Sequence, residues 1–310
     1  MGSAPSADIF QSAMSKLFHD MESFIAYMDD LMCLEATSFE AHIKNLDEIL
    51  TRLGDMGLQI NPKKTAWLKG EVDYLGFTIT REGIKPQMSK IQGILDMEDH
   101  ISVTQIRSFV GMVNFYKTMW PKRSTTLAPL TDLTGKCQKF KWETKHQKAF
   151  EKMKGMMAQD TLLSFPDPAQ SFDLHTDASD KQIGAVLSQG GKPLGFFSKK
   201  FNVAQRKYTV TEKELLAITE ALKHFRIIVK GRKVTVWTDH KNLISKTADF
   251  GSDRVLRQRL ILEEYGVKIE YLKGETNQAA DAVSRIPCNS ETVEDYHELF
   301  AQRRVFQDTQ

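Results

Sequence analysis

Residues 171–200 read SFDLHTDASD KQIGAVLSQG GKPLGFFSKK. Apolar and polar side chains follow strand-like patterns at residues 171–177, 183–188 and 193–198, and the segments between them contain Gly, Ser and Asp. Alternation with a period of two residues is typical of β-strands that bury one face. We therefore expect three successive strands, with turns at the intervening segments.

The sequence downstream of these strands alternates between helical and strand patterns. Leu215, Ile218 and Leu222 recur at helical spacing, which predicts a helix over 211–229. The other predicted elements are a strand at 233–238, a helix at about 253–264, a strand at 267–272 and a helix at 277–285. Three strands followed by alternating strands and helices indicate an α/β layer domain.

The upstream half contains a second distinctive pattern. Two apolar runs, at residues 24–28 and 31–34, are separated only by Asp29 and Asp30. Short apolar runs around a polar break predict a β-hairpin, here with two acids at its tip. Residues 121–168 have weaker periodicity with Pro129 and Gly135, which is typical of a connection between domains.

Composition excludes several classes of protein. The chain has 310 residues, of which 41% are hydrophobic, and a formal net charge of +2, so a disordered or fibrous chain is excluded. No apolar run approaches the ~20 residues of a membrane span, and the first residues do not resemble a secretory signal. Three widely separated cysteines, Cys33, Cys137 and Cys288, favour reduced thiols in an intracellular, cytoplasmic protein that is not secreted.

The charge is unevenly distributed along the chain. Residues 199–259 carry 15 Lys and Arg against 6 Asp and Glu, a net charge of +9, whereas residues 260–301 carry 3 against 9, a net charge of −6. A basic field of this size suits a nucleic acid. It is equally compatible with a solvated face that keeps the protein soluble.

Four acidic residues stand at the ends of predicted elements in the C-terminal half: Asp177, Glu214, Asp239 and Asp281. Open α/β sheets bind ligands beside the carboxyl ends of their strands, so these carboxylates can converge there. Gathered carboxylates repel one another unless cations hold them, and oxygen ligands suit Mg²⁺. Two such ions can activate water and stabilise the leaving oxygen of a phosphodiester, so the set predicts a two-metal hydrolase.

Each acid also has a structural explanation. The run from Thr211 to Glu214 fits a capping box, Asp281 would be favoured in a first helical turn, and either strand-end aspartate could cap a turn. A structural Ca²⁺ site is disfavoured because the acids come from four separate elements. His175, two residues before Asp177, is either a ligand or proton carrier, or a solvated histidine.

Five motifs occur in order along the C-terminal half: Thr176-Asp177-Ala178-Ser179-Asp180, Ile183-Gly184-Ala185-Val186-Leu187, Thr211-Glu212-Lys213-Glu214-Leu215-Leu216-Ala217-Ile218, Thr238-Asp239-His240-Lys241 and Ala280-Asp281-Ala282-Val283-Ser284-Arg285. They resemble the ribonuclease H domain of gypsy-type LTR-retrotransposon Pol polyproteins. The resemblance implies that the four acids hold two Mg²⁺ ions, with Mn²⁺ as an alternative. It also implies cleavage of the RNA strand of an RNA–DNA hybrid.

The N-terminal half resembles the reverse transcriptase of the same polyprotein. Tyr27-Met28-Asp29-Asp30 is similar to the palm hairpin motif, residues 74–86 to the primer grip and residues 106–116 to the thumb. The resemblance implies an RNA-directed DNA polymerase with Asp29 and Asp30 in its site. That family uses a further aspartate on an earlier palm strand, which would precede residue 1. We therefore expect a truncated palm, an incomplete polymerase site and no primer extension by this chain alone.

The resemblance also assigns segments. We expect a partial reverse transcriptase palm at 1–85, thumb-like helices at 86–120, a connection at 121–168, a ribonuclease H-like domain at 169–287 and a polar tail at 288–310. The expected fold class is therefore α/β and α+β multidomain, with a mixed five-stranded sheet in the ribonuclease H-like α/β domain. The remainder of a Pol polyprotein is an expected partner.

The basic region supplies candidate contacts to the hybrid's phosphates, which give salt-sensitive, sequence-independent affinity. The candidates are Lys199, Lys200, Arg206, Lys207, Arg232, Lys233, Arg254, Arg257 and Arg259. The competing hypothesis is a non-catalytic, partly folded remnant that binds nucleic acid nonspecifically. In that case exposed strand edges and apolar surface of the damaged half would dominate its behaviour.

Overall fold

A computed structural model gives the fold of the chain. It describes residues 6–35, 37–97, 102–135, 140–159, 161–244 and 252–272. The chain divides into two compact units, Met1–Tyr74 and Leu75–Gln310, which we call the N-terminal unit and the C-terminal unit. The five segment boundaries predicted from the sequence stay predictions.

The N-terminal unit is a small α+β arrangement. Its elements are α1 (Ser6–Leu17), β1 (Phe24–Tyr27), β2 (Asp30–Cys33), α2 (Phe39–Asp55) and β3 (Val72–Tyr74). Strands β1 and β2 pair in antiparallel register, with Tyr27 opposite Asp30, which confirms the predicted hairpin. Met14 of α1 and Phe18, which directly follows α1, pack with Ile49 and Leu53 of α2 in a small buried cluster.

The first part of the C-terminal unit is mainly helical. Its elements are β4 (Phe77–Ile79), β5 (Ile84–Pro86), α3 (Met88–Leu95), α4 (Val103–Phe115), α5 (Arg123–Leu133) and α6 (Thr144–Ala158). Ser102 begins α4 through a capping box with Gln105, in which each side chain accepts from the other residue's backbone N–H. Apolar side chains at helical spacing on α4 are buried, as the sequence pattern predicts.

The second part of the C-terminal unit is a five-stranded sheet with helices. Its elements are β6 (Phe172–Ala178), β7 (Gln182–Gln189), β8 (Lys192–Lys200), α7 (Val210–His224), α8 (Arg226–Val229), β9 (Val234–Thr238), α9 (Asp253–Tyr265) and β10 (Lys268–Tyr271). The strand order is β10-β9-β6-β7-β8. β10 and β6 each pair with β9 in parallel, whereas β7 is antiparallel to both of its neighbours. The predicted fold class, with a mixed five-stranded sheet, is confirmed.

Among the described residues, the two largest of the three buried clusters in the C-terminal unit both include side chains of the sheet. One lies between the sheet and α7 and includes Phe172, Leu174, Ile218 and Leu222. The other is formed mostly by α3 to α6, but it also takes in Val186 of β7 and Phe196 of β8. The sheet therefore contributes side chains to both clusters, and the helices of residues 88–158 share a core with it.

Two helix predictions differ in outcome. The helix expected over 211–229 divides at Phe225, whose φ of −89° and ψ of 13° end α7 before α8 begins. The helix expected at 277–285 and the tail at 288–310 lie outside the described residues. None of the described helices combines the length and the apolar character that a membrane span requires.

Candidate active site

The parallel pairing of β6 with β9 brings two of the predicted acids to one edge of the sheet. Phe172 lies opposite Val234 and His175 opposite Trp237, so the two strands run in step toward their carboxyl ends. Asp177 stands near the end of β6, and Asp239 follows the last residue of β9. Both aspartates are exposed there. This is the edge where open α/β sheets place their ligands.

Glu214 reaches the same edge from helix α7. The helix begins two residues earlier than a cap at Thr211 would allow, because its N-cap is Thr209 and its capping-box partner is Glu212. The capping-box explanation of Glu214 is therefore wrong. Its side chain is instead turned inward and is 1% exposed.

The site also contains an imidazole, that of His240, beside the carboxylates. One ligand atom from each of Glu214, Asp239 and His240 lies within 4.8 Å of the other two. His240 Nδ1 is 2.7 Å from Asp239 Oδ1 and 3.5 Å from Glu214 Oε1. The arrangement offers oxygen and nitrogen donors to a common point.

The electrostatics of the site are unfavourable without a cation. Burial, together with the negative charges of Asp177 and Asp239, raises the pKa of Glu214 to about 8, against the opposing effect of a backbone hydrogen bond from Ala178. Its Oε2 is buried and accepts no hydrogen bond from any described residue. A buried carboxylate oxygen without a donor, facing other carboxylates, fits a divalent cation better than it fits a purely structural role.

The remaining predicted acids are placed differently. Asp281 lies outside the described residues, so the four-acid set stays a prediction in that respect. Asp29 lies in the turn between β1 and β2, and Asp30 begins β2. Neither belongs to a group of three possible metal ligands among the residues that the structure describes.

The hairpin turn that carries Asp29 is held by helix α1. Met28 has a φ of 50°, in the left-handed region that non-glycine residues rarely adopt. Its backbone N–H donates to Gln11 Oε1 at 2.7 Å, while Gln11 Nε2 donates to the carbonyl of Ala26 at 3.0 Å. One glutamine therefore bonds to both sides of the turn.

Most candidate phosphate contacts are exposed, but several already have partners. Lys199 pairs with Glu220, and Lys200 pairs with Asp132. The exposed candidates are Lys199, Lys200, Arg206, Lys207, Lys233, Arg254 and Arg257, and the half-buried ones are Arg232 and Arg259. Their assignment to nucleic-acid binding stays a prediction.

Two histidines depart from the sequence-based interpretation. His175 is 1% exposed and stacks on Trp237, with ring centroids 6.2 Å apart. The interpretation of His175 as a solvated histidine is therefore wrong. The sequence pattern alone does not identify His240 as a ligand, although this residue directly follows Asp239 in the motif Thr238-Asp239-His240-Lys241. Its position after an acid that ends a strand is the signal that could have identified it.

Comparison with known protein families gives two matches. Residues 1–79 match the family described as "Reverse transcriptase (RNA-dependent DNA polymerase)", and residues 142–236 match "RNase H-like domain found in reverse transcriptase". The chain is 33% identical over 304 residues to a retrovirus-related Pol polyprotein from transposon 297 of Drosophila melanogaster, covering 96% of this chain. It is 32% identical over 279 residues, or 87% of this chain, to the transposon Tf2-3 polyprotein of Schizosaccharomyces pombe.

These matches define a reverse transcriptase domain followed by an RNase H-like domain. The chain's homologues are retrotransposon Pol polyproteins, and the matches are consistent with a reverse transcriptase plus RNase H segment of such a polyprotein. It spans 28% of the length of the transposon 297 relative and 21% of the Tf2-3 relative.

Solved structures agree on the fold. A foamy viral protease-reverse transcriptase in complex with double-stranded DNA has a TM-score of 0.78 at 23% identity, covering 86% of this chain and 49% of that one. The same kind of protein in complex with an RNA/DNA hybrid has a TM-score of 0.76 at 22% identity, covering 87% of this chain and 38% of that one. At these identities the likeness shows the fold.

Proposed function

We propose that this chain is a metal-dependent ribonuclease H that cleaves the RNA strand of an RNA–DNA hybrid. The observation that carries the proposal is the group of Glu214, Asp239 and His240 at the carboxyl edge of the sheet, in which Glu214 keeps one buried oxygen without a described donor. A site of this kind at this edge suits a hydrolase that needs no side-chain nucleophile.

The chain's own residues supply the ligands in this proposal. Asp177, Glu214 and Asp239, with Asp281 by family resemblance, would hold two Mg²⁺ ions, or Mn²⁺ in their place. When bound, such ions activate the attacking water and stabilise the leaving oxygen of the phosphodiester. The rigid strand ends of β6 and β9 and the packed helix α7 fix the carboxylates, which reduces the cost of assembling the site.

The proposed substrate is a duplex that the basic region grips along its phosphates. The nine basic candidates from Lys199 to Arg259 would supply this affinity without reading base sequence. Selection of the hybrid over DNA would rest on groove shape and the RNA 2′-hydroxyl. Two solved complexes of proteins with the same fold support this choice of substrate, one with double-stranded DNA and the other with an RNA/DNA hybrid. The rest of a Pol polyprotein is the proposed covalent partner.

For the reverse transcriptase domain we propose that this chain alone does not extend a primer. Asp29 and Asp30 have no third ligand beside them among the described residues, whereas a two-metal polymerase site needs one. Mg²⁺-dependent incorporation of deoxynucleotides by the purified chain would contradict this proposal.

The direct test uses the full chain, a labelled RNA–DNA hybrid, and Mg²⁺ or EDTA. We expect cleavage of the RNA strand by the wild type with Mg²⁺ and loss of cleavage in Asp177→Asn. Asp177→Asn should retain the wild-type circular dichroism spectrum, because Asp177 is exposed at a strand end. Hybrid binding without cleavage by the folded wild type would instead favour the non-catalytic remnant that binds nucleic acid nonspecifically.

A further inference from the structure

His240 is held in place by the turn that follows β9. Its backbone N–H donates to Thr238 Oγ1 at 3.2 Å, and its carbonyl accepts from the backbone N–H of Leu243 at 3.1 Å. Leu243 is 2% exposed and belongs to the core between the sheet and α7. The buried leucine therefore fixes the backbone from which the imidazole extends toward the carboxylates.

The imidazole is the group that the two carboxylates face. Among the described residues, the ion pairs of Glu214 and Asp239 both lead to His240 Nδ1. Lys213, the neighbour of Glu214 in sequence, extends to Asp180 instead, at 2.8 Å. No ammonium or guanidinium group in the described part of the chain balances these two acids.

His240 contacts only one of the two carboxyl oxygens of Glu214. Its Nδ1 approaches Oε1 of Glu214, while Oε2 of the same carboxyl is buried and has no hydrogen-bond partner in the described residues. The Glu214 side chain is 1% exposed, so bulk water does not compensate that oxygen. The unpaired Oε2 leaves a buried acceptor that an additional cation beside the carboxylates and the imidazole would satisfy.

We infer that His240 is a nitrogen ligand of this metal site and that it gives the site a preference for first-row transition ions such as Mn²⁺ over Mg²⁺. The inference deepens the proposed nuclease function, since it uses the same carboxylates. Mg²⁺ favours oxygen ligands and retains its waters, whereas imidazole is a good ligand for transition ions. A site with two carboxylates and one imidazole therefore discriminates between the two kinds of ion.

The competing interpretation is that His240 is only a counter-charge for the acids. In that case removing the imidazole would free the carboxylates, and a divalent ion would bind equally well or more tightly. In the ligand interpretation the same change removes a metal–nitrogen bond and weakens binding of the transition ion. The two interpretations thus predict opposite changes in Mn²⁺ affinity.

The test measures Mn²⁺ binding to the full chain without nucleic acid. Pulsed electron paramagnetic resonance detects ¹⁴N coupling when a nitrogen ligand is bound to Mn²⁺, and calorimetry gives the Mn²⁺ and Mg²⁺ affinities. We expect ¹⁴N coupling in the wild type and its loss in His240→Gln, with Mn²⁺ affinity reduced at least about tenfold. Mg²⁺ affinity should change much less, since Mg²⁺ does not favour the nitrogen.

Two variants serve as controls. His224→Gln removes a histidine that packs against the rings of Phe197 and Phe225, and it should retain the coupling. Glu214→Gln should lose the coupling together with Mn²⁺ binding, which assigns the signal to this site.

The outcomes separate this inference from the proposed function. Hybrid cleavage by the wild type without ¹⁴N coupling, or unchanged or tighter Mn²⁺ binding by His240→Gln, overturns the ligand assignment and leaves the nuclease. Coupling that depends on His240, in a wild type that cleaves no hybrid with either ion, supports the ligand assignment and overturns the nuclease.

Discussion

Glu214 combines a destabilising buried carboxyl with a place in the proposed metal site. The fold buries its carboxyl beside Asp177 and Asp239, which raises its pKa to about 8, and leaves Oε2 without a described hydrogen-bond donor. Burying a carboxyl beside two other carboxylates, with one of its oxygens unpaired, costs free energy that folding must offset elsewhere. Such a residue is expected to destabilise the metal-free protein, and to be stabilised when a cation binds.

We predict that Glu214→Gln abolishes hybrid cleavage but does not destabilise the metal-free protein. The amide carries no charge and can donate toward the neighbouring carboxylates, so in EDTA the free energy of unfolding should rise by about 1 kcal/mol. Denaturant titration in EDTA measures this value. Glu220→Gln on the same helix is the control, since it loses contacts with Lys199 and Lys223 and gains nothing. A large loss of stability in Glu214→Gln would contradict the argument.

A second prediction concerns His224 and acid sensitivity. Burial, with the nearby charges of Lys117 and Arg123, lowers the pKa of His224 below its usual value. The unfolded chain therefore takes up this proton more readily, so the contribution to stability is complete above about pH 6.5 and is lost as the pH falls toward the folded-state pKa. His224→Gln should make the free energy of unfolding less dependent on pH between 7 and 5.

Tryptophan fluorescence can follow that unfolding, since Trp120, Trp142 and Trp237 lie in the C-terminal unit. His19→Gln is the control because the His19 side chain is 77% exposed. An equally steep pH dependence in His224→Gln would mean that other groups cause the acid sensitivity.

For single residues, the sequence predicts the positions of the two strand-end aspartates better than the roles of the neighbouring histidines. Asp177 and Asp239 stand at the ends of recognisable strands, and strand order alone places strand ends at one edge of a sheet. The roles of His175 and His240 depend on which ring or carboxylate lies across the sheet, and spacing along one chain does not contain that information. Thr209 and Thr211 are both acceptable caps, so only the backbone decides which of them begins α7.

Among the elements, the bridge between β5 and residue 163 depends on a glycine. Ile84 and Leu163 exchange two backbone hydrogen bonds of 2.8 and 3.0 Å, and a Cβ on Gly83 would lie 2.1 Å from the carbonyl oxygen of Leu163. We predict that Gly83→Ala destabilises the C-terminal unit by about 1–3 kcal/mol, because the bridge must shift. Denaturant titration gives the change in free energy.

Gly93→Ala provides a matched control for this effect. Gly93 lies on the exposed face of α3 with nothing within 4 Å of an added Cβ, so alanine should stabilise the helix by about 0.5–1 kcal/mol. Equal effects of the two substitutions would contradict the steric explanation.

Helix α9 carries two arginines that we expect to behave differently. Arg254 donates to Glu212 at 2.9 Å and lies 4.2 Å from the ring centroid of Tyr208, whereas the guanidinium of Arg257 contacts no described partner. Arg257→Gln should therefore weaken hybrid binding and reduce the slope of log affinity against log salt by about 1. Arg254→Gln should mainly lower the melting temperature. Fluorescence anisotropy with a labelled hybrid measures both affinities, and identical behaviour would refute the distinction.

Periodicity predicts elements well where one face is buried. The hairpin β1–β2 alternates between more and less buried positions, and β6 to β8 are buried on both faces along much of their length. The predicted positions of all five strands agree with the structure to within a few residues. Helix ends are harder, because the division at Phe225 is a change in two backbone angles that leaves the apolar stripe intact. The spacing of apolar residues shows which face of a helix or strand is apolar, but it does not show which other element packs on that face.

Across the whole C-terminal unit, hydrogen bonds from backbone N–H groups join the helical segment to the sheet, in addition to the shared buried cluster. The backbone N–H of Phe196 donates to the carbonyl of Thr118 at 2.9 Å, and that of Ser124 donates to Ser198 Oγ at 3.0 Å. Both bonds join the outer strand β8 to the helical segment. The bond from Phe196 occupies one backbone group of the edge strand β8, which leaves that edge less open to pairing with other chains. The sequence patterns distinguish the helical segment from the sheet, but they do not show that the two pack against each other.

This shared core leads to a prediction about which parts of the chain unfold together. Phe196 lies in β8 but is buried among the helices α3 to α6, so Phe196→Ala should cost about 3–5 kcal/mol and reduce hydrogen-exchange protection in both the sheet and those helices. Leu53→Ala removes an equally buried side chain from the cluster of the N-terminal unit, and it should reduce protection there instead. Exchange measured by mass spectrometry on peptides resolves the two responses. Loss of protection in β8 alone after Phe196→Ala would show that the helices and the sheet are separate folding units.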